Sequence, residues 1–141
     1  SIVWSPNKKV DINKLEKIQR QAARFILNKY KRTDSVTEML SQCGLQSLET
    51  RRRIARLKFL FALYNKHLNI ESELYLKEAH KRSRRLNHDK TIQPYNSRID
   101  VFKYSFFVQT IEEWNQLPDD VINSANMSQF ESSLEKTFIQ Q

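Results

Sequence analysis

Positively charged side chains dominate the chemistry this chain offers. Three arginines follow one another at Arg51, Arg52 and Arg53, Arg56 lies one turn further on, and a KRSRR cluster supplies Lys81, Arg82, Arg84 and Arg85. Lys17, Arg20 and Arg24 recur at intervals of three and four residues, and Arg98 and Lys103 complete the set. Guanidinium and ammonium groups placed in this way donate to phosphate oxygens and displace condensed counterions, so the pattern implies a polyanion-binding surface whose affinity falls with salt. Tyr95 and Tyr104, set among these cations, are available to stack on bases. The plainer reading is that Lys and Arg solvate helix faces or pair with nearby acids such as Glu49.

The charge is unevenly distributed. The formal net charge is +8, yet residues 1–104 hold 23 Lys and Arg against 10 Asp and Glu, whereas residues 105–141 hold one Lys against six acids. The basic surface therefore belongs to the first three quarters of the chain.

Catalytic apparatus is harder to find. A zinc site needs four ligands converging at about 2.0–2.3 Å, and Cys43 with the scattered His67, His80 and His88 does not supply them. The three histidines read as polar helix or loop residues. His88-Asp89 has the residue types of a nuclease base, but two-metal chemistry requires several converging carboxylates, and acids are sparse in that basic stretch. Asp119 and Asp120 read as helix-capping residues beside Pro118. A chain with one glycine has no phosphate-cradling loop, and the paired-aspartate turn of a polymerase palm is missing. The expectation is a chain with no enzymatic activity of its own, no cofactor and no metal.

At 141 residues there is room for one domain with a core, expected as a single helical unit over 1–141. Within it, residues 12–76 form a basic helical part, 77–104 a basic loop and 105–141 an acidic helical tail. An apolar fraction of 39%, with 8 Phe, 5 Tyr and 2 Trp, argues against disorder. One Gly and three Pro favour helix over turn-rich sheet. The fold class expected is mainly α, a compact domain of about five to six helices, with a basic extended loop between 77 and 104 that leaves room for two short strands. A lone Cys43 excludes an intramolecular disulfide and fits a reducing intracellular setting, nucleus and cytoplasm. The longest apolar run, residues 59–64, falls well short of the roughly 20 residues of a membrane span, so no membrane partner is expected. The chain opens on Ser1 and passes directly into Ile2-Val3-Trp4, which reads as a piece of a longer polypeptide.

Periodicity places the elements. Leu15, Ile18, Ala22, Phe25 and Ile26 repeat by three and four and predict a helix over 12–30, capped by Asp11 or Asn13. Ser35 and Glu38 have capping-box spacing; Val36, Met39, Leu40 and Cys43 follow as a short apolar face, with Cys43 a buried thiol, and Gly44 ends the helix with positive φ. A long helix over 47–68 carries Ile54, Leu57, Phe61, Tyr64 and Leu68, widened by Leu60 and Leu63. On a helical wheel Arg52 and Arg56 point away from that stripe and Arg53 sits near its edge. Three arginines at a helix start also oppose its dipole, a placement that an incoming anion would relieve. Residues 90–95 and 98–103 alternate as short strands do, although Pro94 confines the first to an edge. Phe107, Ile111 and Trp114 predict a helix ending at Leu117-Pro118, followed by a short turn over 119–123. Ser128 and Glu131 form a second box before a last helix lined by Phe130, Leu134 and Phe138. The expected core is Phe25, Ile54, Leu57, Phe61, Tyr64, Ile111, Trp114 and Phe130.

Five strings in fixed order carry a resemblance: VW-P at 3–6, LEKIQRQAARFIL at 15–27, SVTEML at 35–40, LETRRRIARL at 48–57 and KYSFFVQTIEEWNQLP at 103–118. Together they resemble the C-terminal region, downstream of the palm, of reverse transcriptases encoded by jockey-like non-LTR retrotransposons. The resemblance spans about residues 3–138. It implies a non-catalytic tail of an RNA-directed DNA polymerase, the end of the thumb and C-terminal extension, thought to help grip template RNA and target DNA in target-primed reverse transcription. The implied partners are RNA or DNA backbone and the palm and thumb of the same polypeptide. Lys17, Arg20, Arg24 and residues 51–53 stand where family members tend to be basic. Val108 departs from a usual Pro, Gln109 replaces a common basic residue, and the Cys and His knuckle of some family members is absent. The alternative is a helical protein-interaction or packing module, including a host-domesticated retrotransposon fragment.

Overall fold

The computed structural model of the chain describes residues 5–79, 88–96 and 98–139. The architecture is mainly α. Seven α-helical segments occur among the described residues: α1 (Lys9–Leu27), α2 (Val36–Gln42), α3 (Leu48–Tyr64), α4 (Asp100–Lys103), α5 (Phe106–Asn115), α6 (Asp119–Ile122) and α7 (Met127–Ile139), with a single 3-10 turn at Ser72–Leu74. α4 and α6 are single turns, which leaves five longer helices. Contacts group the described residues into an N-terminal unit, 5–52, and a C-terminal unit, 53–139.

In the N-terminal unit α1 starts three residues earlier than its apolar spacing predicts. Its N-cap is Lys8, with no side-chain cap, and Asp11 lies inside the first turn. There its carboxylate complements the positive end of the helix dipole and pairs with Lys14 at 3.1 Å. The helix stops at Leu27 because Asn28 turns left-handed (φ 51°) and Lys29 N–H donates to Arg24 O at 3.0 Å. Asn tolerates that conformation better than most residues. The buried face of α1 is not the predicted one: it holds Gln19 and Ala23, while Ile18, Phe25 and Ile26 are exposed, Phe25 by 77%. Polar satisfaction and steric size explain the rotation. Gln19 Nε2 donates to Gln46 O at 2.8 Å, and on a helix that packs against α2 the small Ala23 lies innermost.

α2 follows the sequence closely. Ser35 Oγ accepts from Glu38 N–H at 3.4 Å, Met39 is buried, and Gly44 (φ +62°) lets Leu45 N–H reach Leu40 O at 2.8 Å. Cys43 is the C-cap and is only half-buried, which corrects the expectation of a buried thiol. The next helix is entered through Ser47, whose Oγ accepts from Thr50 N–H at 3.0 Å. Glu16 Oε1 accepts from Glu49 N–H at 3.0 Å, tying α1 to the start of α3.

The C-terminal unit contains the core. Ile54, Leu57, Leu60 and Phe61 of α3 meet Ile111, Trp114 and Leu117 and the Val121, Ile122, Phe130 and Leu134 side chains of α6 and α7. Phe61 stacks on Phe130 with centroids 4.3 Å apart. Tyr64 packs at the margin, 5.5 Å from Trp114. α3 ends at Tyr64 rather than Leu68, because Lys66 turns left-handed (φ 56°) and His67 N–H closes on Ala62 O at 2.8 Å. This is the same terminal motif as at Asn28 and Gly44, here without a residue suited to it.

Trp114 organises the segment C-terminal to the basic cluster. Its Nε1 donates to Lys90 O at 2.9 Å, and its own carbonyl accepts from His88 Nε2 at 2.9 Å. His88 is therefore a loop residue, as expected, and a buried structural one with its ring edge-on to Trp114; His67 is exposed, and His80 lies outside the described residues. Asn115 grips Ile92 from both sides, Ile92 N–H donating to Oδ1 at 3.0 Å and Nδ2 donating to Ile92 O at 2.8 Å. The remaining backbone groups here pair with residues 77–79: Gln93 N–H donates to Lys77 O and Ala79 N–H to Thr91 O, around one antiparallel bridge between Glu78 and Ile92. With its neighbours thus engaged, the 90–95 segment does not pair with 98–103, part of which instead winds into α4. Among the described residues there is no strand.

Two caps also differ from expectation. α6 has Pro118 as N-cap and carries Asp119 and Asp120 inside its first turn, where they favour the dipole rather than cap. α7 is capped two residues before the predicted Ser128: Asn126 Oδ1 accepts from Gln129 N–H at 2.8 Å, and Gln129 Oε1 accepts from Ala125 N–H at 3.0 Å. Glu131 instead pairs with Lys58.

Candidate nucleic-acid interface

The basic residues singled out by their spacing divide into inward and outward sets. Arg56 is only 5% exposed and its Nη2 lies 3.1 Å from Glu113 Oε1; Arg53 Nε lies 3.4 Å from Glu113 Oε2. The Arg53 guanidinium also covers the Phe138 ring at 3.9 Å, a favourable cation–π placement. Arg52 is largely buried as well. The expectation that Arg52 and Arg56 point away from the apolar stripe is thus reversed. For Arg56, and for Arg53 beside it, the physical reason is Glu113: a carboxylate on α5 draws these two inward, where pairing offsets the cost of burying a cation. Its 57-residue separation from Arg56 leaves no local signal for the pair. Arg51 is exposed.

On α1, Lys17, Arg20 and Arg24 occupy one face, as three- and four-residue spacing requires. Lys17 is exposed, whereas Arg20 and Arg24 are half-buried. Arg24 Nη1 donates to the carbonyls of Lys29 and Lys31, each at 3.3 Å, so part of its donor capacity is spent closing the helix end. Lys81, Arg82, Arg84 and Arg85 lie outside the described residues.

Arg98 and Lys103 are exposed and lie in sequence among the residues of an aromatic cluster in the C-terminal unit. Tyr75 stacks on Phe107 at 5.4 Å, Tyr95 approaches Phe107 at 6.1 Å, and Phe102 meets Tyr95 edge-on at 6.4 Å. Tyr95 OH donates to Tyr75 O, and Lys103 Nζ sits 5.9 Å from the Tyr104 ring centroid. Of these aromatics Tyr95 and Tyr104 stand out by sequence as stacking candidates and Phe107 as a helix-face residue; Tyr75 and Phe102 have no motif around them, and only the fold brings them beside Tyr95.

A groove of about 440 Å³ lies elsewhere in this unit, lined by Tyr64, Lys66, Glu73, Lys77, Glu78 and Ile92 among others. Its charges are mixed. Lys66 pairs with Glu73, which holds the ammonium pKa above its ordinary value and the carboxyl below. Burial, helped by the Glu78 carboxylate, raises the Tyr64 phenol. No cluster of three or more metal-ligating side chains occurs among the described residues, and no helix among them is long and apolar enough to cross a membrane.

No protein-family model, curated protein or solved structure matches the chain.

Proposed function

We propose that this chain is a non-catalytic nucleic-acid-binding region, the C-terminal part of a non-LTR retrotransposon reverse transcriptase. Its role would be to hold template RNA or target DNA by the phosphate backbone while the palm of the same polypeptide performs the chemistry. One observation carries this reading. Residues 5–52 contain eleven Lys and Arg against five Asp and Glu, and Lys8, Lys9, Lys14, Lys17, Lys29, Lys31, Arg32 and Arg51 are exposed. Cations presented in such excess raise the local concentration of polyanions and exchange counterions on contact. Sequence preference is slight, since phosphate contacts carry no base information.

A second reading, a helical module that packs on protein, is favoured by the exposed Ile18, Phe25 and Ile26 of α1.

Titration of the purified chain with fluorescein-labelled single-stranded RNA and DNA at two salt concentrations separates the two. The nucleic-acid reading expects binding at low salt that weakens steeply as salt rises. Absence of binding at low salt overturns it and leaves the second reading. The same material is expected to show no metal-dependent primer extension or nicking; turnover that survives repurification contradicts a non-catalytic role.

A further inference from the structure

We infer that the aromatic cluster around Tyr95 is a base-stacking platform selecting single-stranded nucleic acid over duplex, an inference that rests on the nucleic-acid reading above. Tyr75, Tyr95, Phe102 and Tyr104 are each between 37% and 43% exposed. Tyr75, Tyr95 and Phe102 are joined to one another by contacts through Phe107 and Tyr95, and Tyr104 follows Phe102 by two residues. Four large rings at such exposure are more than a folded domain needs for its own packing.

The rings are also held. Tyr75 lies nearly parallel to Phe107, 7° between planes, and Phe107 is packed against the core. Tyr95 is fixed at its far end by its hydroxyl, which donates to the Tyr75 carbonyl, and its ring meets Phe102 at 90°. Rings fixed before a ligand arrives lose little freedom on binding, and a mixture of ring orientations suits bases splayed from a single strand better than a stacked duplex, whose base faces are already covered.

Cations accompany the rings. Arg98 lies three residues beyond Tyr95, and Lys103 stands between Phe102 and Tyr104 with its ammonium over the latter ring. A base stacked on Phe102 or Tyr104 would therefore place its phosphate within reach of a positive charge. Stacking takes any base and either sugar, so the ligand class is single-stranded RNA or DNA without sequence preference.

The test uses the full chain with a labelled 12-mer of oligo(U), a 12-mer of oligo(dT) and an RNA duplex of the same length. The variant Phe102→Leu with Tyr104→Leu keeps apolar bulk and removes two rings; Phe102→Tyr with Tyr104→Phe keeps both. The leucine variant should bind both single strands about 100-fold more weakly, roughly 10-fold per ring, with duplex affinity and salt slope unchanged, while the ring-preserving variant matches wild type. Equal loss on duplex and single strand, loss on RNA alone, or no loss at all overturns the platform while leaving phosphate binding in place. If wild-type protein binds none of the three ligands, the nucleic-acid reading falls with it.

Discussion

In α3 the residues recurring every three to four positions are sealed from water; in α1 residues of the same spacing face it. Leu57 and Leu60 are fully buried and Phe61 nearly so, against Trp114, Phe130 and Leu134. Ile18, Phe25 and Ile26 of α1 are 63–77% exposed, and the helix instead buries Ala23 and a hydrogen-bonded glutamine. A stripe states that a helix has an apolar face; the size and shape of the partner decide which face is used. The N-terminal unit is under 50 residues, too small for an extensive core of its own.

Truncations in α1, in α3 and in the α5 ring that α3 packs on should break this comparison most sharply. Trp114→Ala removes the ring that joins α3, α5 and the 88–92 segment, and without the Nε1 hydrogen bond to Lys90 O the cost is expected to be about 3 to 5 kcal/mol. Leu57→Ala should cost about 2 to 5 kcal/mol. Phe25→Ala should change stability by less than about 0.5 kcal/mol, as for other exposed sites. Urea denaturation of the three variants checks the order; a Phe25 effect as large as that of Leu57 would mean α1 buries the face its sequence suggests.

Next in size is the ion-paired end of α3. Glu113→Gln leaves the buried Arg56 without a charge partner and should cost about 2 to 4 kcal/mol, somewhat below the figure for complete burial because Glu113 retains some contact with water. A loss below about 1 kcal/mol in the same denaturation series would show that Arg56 reaches solvent instead.

Much of the fold was legible because it depends on local rules. The Ser35 cap, the Gly44 stop, the α3 stripe and the Phe130-Leu134-Phe138 face all arise from spacing within one helix turn or two. The failures lie where distant groups decide. Glu113 turns Arg53 and Arg56 inward across more than fifty residues; Asn115 holds Ile92 and so denies residues 90–95 the strand partner their alternation suggests; Gln46 recruits Gln19 and rotates α1. The candidate interface was legible as a set of cations but not as a surface, since exposed Arg51 and buried Arg52 are neighbours in a run of identical residues.

The smallest expected effects concern two helix ends of opposite character. Gly44→Ala should cost about 1 kcal/mol, because alanine resists φ +62° although its Cβ would meet nothing within 4 Å. Lys66→Gly should raise the melting temperature by about 2 to 4 °C by relieving the same conformation at the end of α3. Thermal melts check both; equal signs would contradict the shared terminal motif.

The division of cations into outward and inward sets is tested most directly by the salt dependence of single-stranded RNA affinity. Lys17→Gln, Arg32→Gln and Arg51→Gln together, all three exposed, should keep the fold by circular dichroism and lower the slope of log K against log salt by roughly 2, about 0.7 for each phosphate-binding charge removed. Arg53→Gln should lower stability and leave the slope unchanged. A triple variant with wild-type affinity and slope would contradict the proposed phosphate-binding surface.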